Sequence, residues 1–256
     1  MKTRWPIALL LLAAWPAMGD ARSPKLSLDA SATALADKPG MQTLGDYAYF
    51  YRPAGDASER RPLLLLLHGA GMSASDFIDG ARAEADRCGC LLLAVQSKGA
   101  TWDTVRLSRR AAFDGVTDVY RMFGADTDRI EAALSTALRA GDADARSVLL
   151  VGFSDGASFA LSLGLANRSI FRGVVAIAPG FYVEPSPTGP KQRVFIAHSP
   201  TDQVLPFERT RDDIVAPLER AGLDLRFRTF EGGHRVVPSV LAEGVDFALG
   251  RGAAAD

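Results

Sequence analysis

The segment best suited to chemistry is residues 152–156, which has the pattern G-x-S-x-G around Ser154. An apolar run, 148–151, precedes it, and an alanine- and leucine-rich stretch, 157–166, follows it. This predicts a buried strand, a sharp turn and a helix, with glycines where larger side chains would clash. Such a turn lifts the Ser154 hydroxyl above the sheet, where it can act as a nucleophile. The alternative is a glycine-rich turn whose serine only caps the helix.

A serine hydroxyl is a weak nucleophile and needs a base within hydrogen-bond reach. The chain has three histidines, His68, His198 and His234. The first two directly end apolar runs, and we expect them to support loops. His234 lies beside glycines in a loop after the last predicted strand, so it is predicted to be the general base and then the general acid. The alternative for His234 is a surface loop histidine.

The base in turn needs an acid that fixes its tautomer and stabilises its charged form. Asp202 lies just past the predicted strand 193–197 and is the candidate. The resulting order of serine, aspartate and histidine is the order of α/β-hydrolases. The rival carboxylates are Asp155, Glu208 and Glu231. Asp155 is too close in sequence to the nucleophile, and Glu231 is interpreted as a solvated loop charge.

Attack on a carbonyl creates an oxyanion that needs two backbone N–H donors. The residue after the nucleophile, Asp155, is predicted to supply one of them. The other should come from the glycine-rich loop that follows the leucine run 63–67, from Ala70 first and Gly71 second. Glycine in that loop lets the backbone approach a substrate closely. Without the serine, the same loop would indicate only a tight turn.

These residues must be positioned by the elements around them. Short apolar runs alternate with helical patterns along the chain, without internal repeats. This predicts an α/β fold in which a doubly wound, mostly parallel sheet forms one domain over 41–251. In such sheets the active site lies outside the carboxyl ends of the strands, and all the candidate residues follow predicted strand ends.

The start of the chain has a different character. A basic tetrapeptide is followed by an apolar stretch, 6–18, that is too short to span a bilayer, and then by small residues. This predicts a signal peptide over 1–21, cleaved near Gly19 or Ala21, and an exported protein that is periplasmic or secreted. The alternative is an N-terminal membrane anchor. Residues 22–40 are polar and are predicted to form a flexible lead-in.

Composition limits the remaining possibilities. The 256 residues carry a net charge of −1 and are 48% hydrophobic, which suits a globular domain and gives no basic excess for nucleic acid. The two cysteines, Cys88 and Cys90, have no histidine nearby and are predicted to be a structural pair without a catalytic role. We predict no metal, no cofactor and no stable membrane insertion after cleavage of the signal peptide.

Five segments together resemble the phospholipase/carboxylesterase family of serine esterases, an α/β-hydrolase branch with polyhydroxybutyrate-depolymerase-like and feruloyl-esterase-like members. They are 67–71, 96–103, 152–158, 202–206 and 233–234. The resemblance implies that Ser154, Asp202 and His234 form a catalytic triad and that Trp102 lies near the substrate pocket. The family commonly has glycine where this chain has Ser199.

The predicted function is hydrolysis of carboxylic esters through an acyl-enzyme. Alternatives with the same triad are a polyester depolymerase, a thioesterase or an amidase, and a further alternative is a hydrolase-fold protein that only binds a ligand. The connection after the strand at 174–178 is too short for a large lid domain. We therefore expect an open site for a small ester, with short acyl groups or soluble esters preferred. Its predicted walls are Met72, Trp102, Phe181 and Tyr182.

Overall fold

An eight-stranded sheet forms the centre of the computed structural model, which describes residues 24–55, 60–107, 123–183 and 189–251. Its strands are β1 (Gly40–Leu44), β2 (Ala48–Arg52), β3 (Arg61–Leu67), β4 (Leu91–Val95), β5 (Ala143–Phe153), β6 (Phe171–Ile177), β7 (Arg193–His198) and β8 (Asp224–Thr229). They lie in the order β1-β2-β4-β3-β5-β6-β7-β8. The β1–β2 and β2–β4 pairs are antiparallel, and the remaining pairs are parallel. The predicted single-domain, mostly parallel α/β fold is confirmed.

Helices cover both faces of this sheet. Among them are α1 (Ala74–Cys88), α2 (Ala125–Ala137), α3 (Asp155–Ala166), α4 (Phe207–Arg209), α5 (Ala216–Arg220) and α6 (Pro238–Leu249). A π-helical segment, Thr210–Val215, joins α4 to α5. Ser73 caps α1 by accepting a hydrogen bond from the Asp76 N–H at 3.0 Å, and Gly89 ends the helix with φ of 67°.

The leucine run in β3 shows why the sheet is covered on both sides. Leu63, Leu65 and Leu67 pack into the core on the α2 and α3 side, because side chains alternate along a strand. Leu64 and Leu66 pack on the other side with residues of α1 and α6. All five are fully buried, and each contributes about 1.5–3 kcal/mol of hydrophobic stabilisation.

The register of the parallel strands brings their carboxyl ends to one edge of the sheet. Leu67 pairs with Gly152, and Ile177 with Ala197. The segments that carry Ser154, Asp202 and His234 leave β5, β7 and β8 at this edge. The disulfide between Cys88 and Cys90 lies at the opposite edge, where α1 ends and β4 begins.

The predicted flexible lead-in is corrected for its described part, residues 24–39. Asn167, after α3, donates its side-chain N–H to the Pro24 carbonyl at 2.7 Å and accepts from the Leu26 N–H at 2.8 Å. The Asp29 N–H donates to Ser135 Oγ on α2 at 2.9 Å. Leu26, Leu28 and Leu35 pack against the core, so this segment lies docked on the domain. The predicted signal peptide, 1–21, lies outside the described residues.

Candidate active site

Ser154 occupies a strained turn between β5 and α3. Its backbone has φ of 55° and ψ of −121°, a conformation that costs a non-glycine residue about 1–3 kcal/mol. A Cβ at Gly152 would come within 2.3 Å of the Gly156 carbonyl oxygen, and one at Gly156 within 2.1 Å of the Leu67 carbonyl oxygen. Both glycines are therefore required by close backbone approach, and the predicted strand, turn and helix are confirmed.

His234 reaches the serine from the loop after β8. Its Nε2 lies 2.9 Å from Ser154 Oγ. Gly232 and Gly233, with φ of 130° and 72°, give the loop a path that other residues rarely adopt. Phe153 packs against the imidazole with the ring centroids 4.8 Å apart, which holds the base in place beside the nucleophile.

Asp202 is buried behind His234. Its Oδ2 lies 2.6 Å from His234 Nδ1, and its Oδ1 accepts hydrogen bonds from the N–H groups of Val204 at 2.8 Å and Leu205 at 2.9 Å. Burial by itself would raise the pKa of the Asp202 carboxyl. The hydrogen bonds from Leu205, His234 and Val204 outweigh burial and leave the pKa below its ordinary value. The carboxylate is therefore the form that meets His234 near neutral pH.

The three side chains form a continuous hydrogen-bonded line. Because the Asp202 carboxylate can only accept, the His234 Nδ1 carries the proton of that hydrogen bond. Nε2 is then an acceptor for the Ser154 hydroxyl, which is the arrangement that a base for serine requires. The structure thus brings together the three residues that the sequence singled out.

The loop after β3 presents backbone near this serine. Gly71 donates its N–H to the Ala100 carbonyl at 2.7 Å, so it is unsuited to a second role as oxyanion donor. Ala70, which is exposed, is left as that loop's candidate donor. Asp155 begins α3, and its carboxylate accepts a hydrogen bond from Thr101 Oγ1 at 2.6 Å. Ala70 and Asp155 remain the predicted oxyanion pair.

Residues 54–247 match the family model described as Phospholipase/Carboxylesterase. The chain belongs to the phospholipase/carboxylesterase family. Its membership agrees with the resemblance seen in the sequence motifs.

The similar proteins share only part of their sequence with this family member. Over 155 residues it is 32% identical to the putative esterase NocK of Nocardia uniformis subsp. tsuyamanensis, a match that covers 59% of this chain and 42% of that protein. The match therefore spans less than half the length of that relative. A Bacillus cereus carboxylesterase structure has a TM-score of 0.55 at 20% identity, over 80% of this chain and 94% of that one. A Mesorhizobium loti carboxylesterase has the same score and identity, over 80% and 96%. These structures share the fold.

The placement of Trp102 in a pocket wall is corrected. Its side chain is fully buried, and its indole N–H donates to the His68 carbonyl at 2.8 Å. The ring also packs on His68 and on Phe159 of α3, with centroid distances of 4.9 and 5.1 Å. In this family member the tryptophan therefore supports the loop after β3 from within the core and does not line an open site.

The other predicted wall residues lie near the carboxyl edge of the sheet. Met72 follows the loop after β3 and is half-buried. Phe181 and Tyr182 follow β6 and pack against the core while remaining partly exposed. The Phe181 N–H is held at 3.4 Å by the Ser158 hydroxyl of α3. Their contact with a substrate stays a prediction.

His198 contacts the acid in a way that the sequence analysis missed. Its Nε2 lies 3.2 Å from Asp202 Oδ2 and 3.1 Å from the Leu205 carbonyl oxygen, so Nε2 carries a proton. Burial lowers the pKa of this imidazole, which favours its neutral form. The sequence indicated only a loop-supporting role; the spacing of four residues between His198 and Asp202 was the available signal. His68 supports its loop as predicted, with Nδ1 2.8 Å from the Gly69 carbonyl oxygen.

Within the described ranges, no group of three or more His, Cys, Asp or Glu side chains is placed to hold a metal ion. In the same part of the chain, no helix has the length and apolar character needed to cross a membrane.

Proposed function

We propose that this chain hydrolyses carboxylic esters through an acyl-enzyme intermediate on Ser154. The observation that carries the proposal is the position of the His234 imidazole, 2.9 Å from Ser154 Oγ and 2.6 Å from Asp202 Oδ2. Membership in the phospholipase/carboxylesterase family supports the same chemistry. NocK is named a putative esterase, which agrees with it.

In the acylation step, Ser154 Oγ attacks the ester carbonyl carbon while His234 Nε2 takes the hydroxyl proton. The carbonyl oxygen becomes an oxyanion beside the N–H groups of Ala70 and Asp155. The imidazolium then gives its proton to the alkoxide oxygen, and the alcohol leaves. Asp202 stabilises the positive charge on the imidazolium without itself taking the proton.

In the deacylation step, a water molecule takes the place of the alcohol. His234 removes a proton from this water, its oxygen attacks the acyl carbon, and the proton returns to Ser154 Oγ as the acid leaves. The same two N–H groups meet the second oxyanion. Loss of one such donor generally costs on the order of 100- to 1,000-fold in turnover, so Ala70 and Asp155 contribute a large share of the expected rate.

The acyl group accepted by this site is proposed to be short. Residues 178–192 join β6 to β7, and this connection is too brief to build a helical lid over Ser154. We therefore expect p-nitrophenyl acetate and butyrate to be hydrolysed far better than the palmitate, without a jump in rate above the substrate's micelle concentration. A preference for palmitate would contradict the open site and leave the triad proposal standing.

The experiment that tests the function compares wild-type protein with Ser154→Ala on p-nitrophenyl butyrate. Loss of the nucleophile in a serine hydrolase costs about a millionfold in turnover. Ser169→Ala is the matched control, because Ser169 is exposed in the turn after α3. Wild-type rates in purified Ser154→Ala would refute the proposal, as would the absence of hydrolysis of every ester by the wild type.

A further inference from the structure

An apolar groove of about 570 Å³ runs between α1 and α6. Its floor is made by Leu66 of β3 and Val151 of β5, where the two helices leave the sheet uncovered. Phe77 lines it from α1, and Leu241 and Ala242 line it from α6. The groove is large enough for a ligand of several carbon atoms, and the mechanism above gives it no role.

The groove opens beside the candidate active site. His234 and Phe153 form part of its lining, and Ser154 Oγ lies 2.9 Å from the same imidazole. Met72 also lines the groove, at the end of the loop after β3. A Cβ on Gly69 would come within 3.1 Å of both the Met72 sulfur and the Phe153 ring. Glycine at this position therefore leaves room for both side chains. The groove therefore borders the imidazole that contacts Ser154.

Gly80 keeps the groove wide. It lies in the interior of α1 and lines the groove, and a Cβ there would meet no atom within 4 Å. Its φ is not positive, so neither the backbone conformation nor close packing requires glycine. Glycine in a helix interior is less favourable than alanine. Because Gly80 has no side chain, the space beside it on the groove side of α1 stays open.

The charged residues around the groove are turned to one another or to solvent. Glu84 accepts two hydrogen bonds from Arg87, at 2.7 and 2.8 Å, and Arg87 also donates to Asp246 at 2.9 Å. Asp76 and Arg235 are exposed. The interior of the groove is therefore lined by apolar side chains and, among the described residues, has no charged group available to a ligand. An uncharged apolar ligand fits it best.

We propose that this groove binds the alcohol portion of the ester substrate. The inference rests on the proposed function. His234 Nε2 must protonate the alkoxide oxygen, so that oxygen lies within hydrogen-bond reach of the imidazole, and the carbon chain attached to it departs on the side where His234 borders the groove. The substrate class is then an ester of a short acid with an apolar alcohol of several carbons.

The test measures kcat/KM for ethyl, butyl, hexyl and octyl acetate by titration of the released acid. Each methylene buried in the groove is expected to raise kcat/KM about fourfold, or about 250-fold from ethyl to hexyl. Gly80→Phe places a ring on the groove side of α1, where a Cβ would meet no atom within 4 Å, and should reduce the hexyl-to-ethyl ratio to within about threefold of unity. Asp79→Phe adds the same ring on the same helix outside the groove and should keep the wild-type ratio.

A second measurement is independent of turnover. In thermal unfolding, 1-octanol should raise the midpoint of the wild type and of Asp79→Phe, and should not raise that of Gly80→Phe. A wild-type ratio that stays flat with alcohol length, or a ratio that Gly80→Phe leaves intact, overturns the groove assignment. Absence of hydrolysis of all four acetates and of p-nitrophenyl acetate would instead overturn the proposed function.

Discussion

Replacing Asp202 by asparagine is a sharp test of how the acid acts, because the structure fixes which way the new amide must face. Oδ1 accepts from the Val204 and Leu205 N–H groups, so the asparagine oxygen must take that position. The amide NH₂ then takes the position of Oδ2, 2.6 Å from His234 Nδ1. A donor facing Nδ1 selects the tautomer in which Nε2 carries the proton.

In that tautomer His234 cannot accept the Ser154 proton, although the backbone is unchanged. Loss of the correct tautomer in a serine triad costs on the order of 10,000-fold in turnover, or about 5 kcal/mol of transition-state stabilisation. The amide also directs a donor at the protonated Nε2 of His198, 3.2 Å from Oδ2, which adds to the cost. We therefore expect Asp202→Asn to lose at least this factor while remaining folded.

The assay is kcat with p-nitrophenyl butyrate, with Ser154→Ala measured alongside to set the background. Glu231→Gln is the matched control, because Glu231 lies on the His234 loop and is exposed. Circular dichroism checks the fold of each variant. A folded Asp202→Asn that retains more than a tenth of wild-type turnover would refute the tautomer argument, and so would an equal loss in Glu231→Gln.

Two further predictions concern stability and processing. Burial raises the pKa of Asp103 to about 6 from 3.8, so the stability due to its neutral form is present below pH 3.8 and lost as the pH rises to about 6. Asp103→Asn should then be more stable than wild type at pH 7.5 by ~1–3 kcal/mol in urea denaturation; a less stable variant contradicts this. We also propose that the chain is exported, so mass spectrometry of protein recovered outside the cytoplasm should find a new N-terminus just after Gly19 or Ala21, whereas a retained Met1 on an envelope-located protein would favour an anchor.

The nucleophile turn could be predicted from sequence because its causes are local. The two glycines, the apolar strand before them and the helix after them lie within a short stretch of sequence. The close backbone approach that requires glycine involves this same turn. Asp202 and His234 were predicted because the strands end in a fixed order at one edge of a parallel sheet. The contact between them then follows from topology rather than from any local pattern.

The corrected predictions depend on contacts across long stretches of chain. The family resemblance implied that Trp102 lies near the pocket, but its indole N–H donates to the His68 carbonyl and its ring packs on Phe159, so the side chain lies in the core. The lead-in is polar in composition, yet Leu26 pairs with Asn167, 141 residues away. Neither partner can be deduced from the composition of the segment itself.

The groove between α1 and α6 has a similar origin. Its walls come from two helices far apart in the sequence, and its width depends on how they settle on β3 and β5. In the sequence, Gly80 is only a glycine inside a predicted helix, where glycine is unfavourable. Its effect on the width of the groove becomes clear only from the structure.

The central claim is that Ser154 is a nucleophile activated by His234, and covalent labelling tests it most directly. A fluorophosphonate probe should modify the wild-type protein once, with the adduct on the peptide that contains Ser154. His234→Ala should slow labelling by several orders of magnitude, and Ser154→Ala should abolish it. Labelling that persists in Ser154→Ala, or an adduct mapped to another residue, would contradict the account.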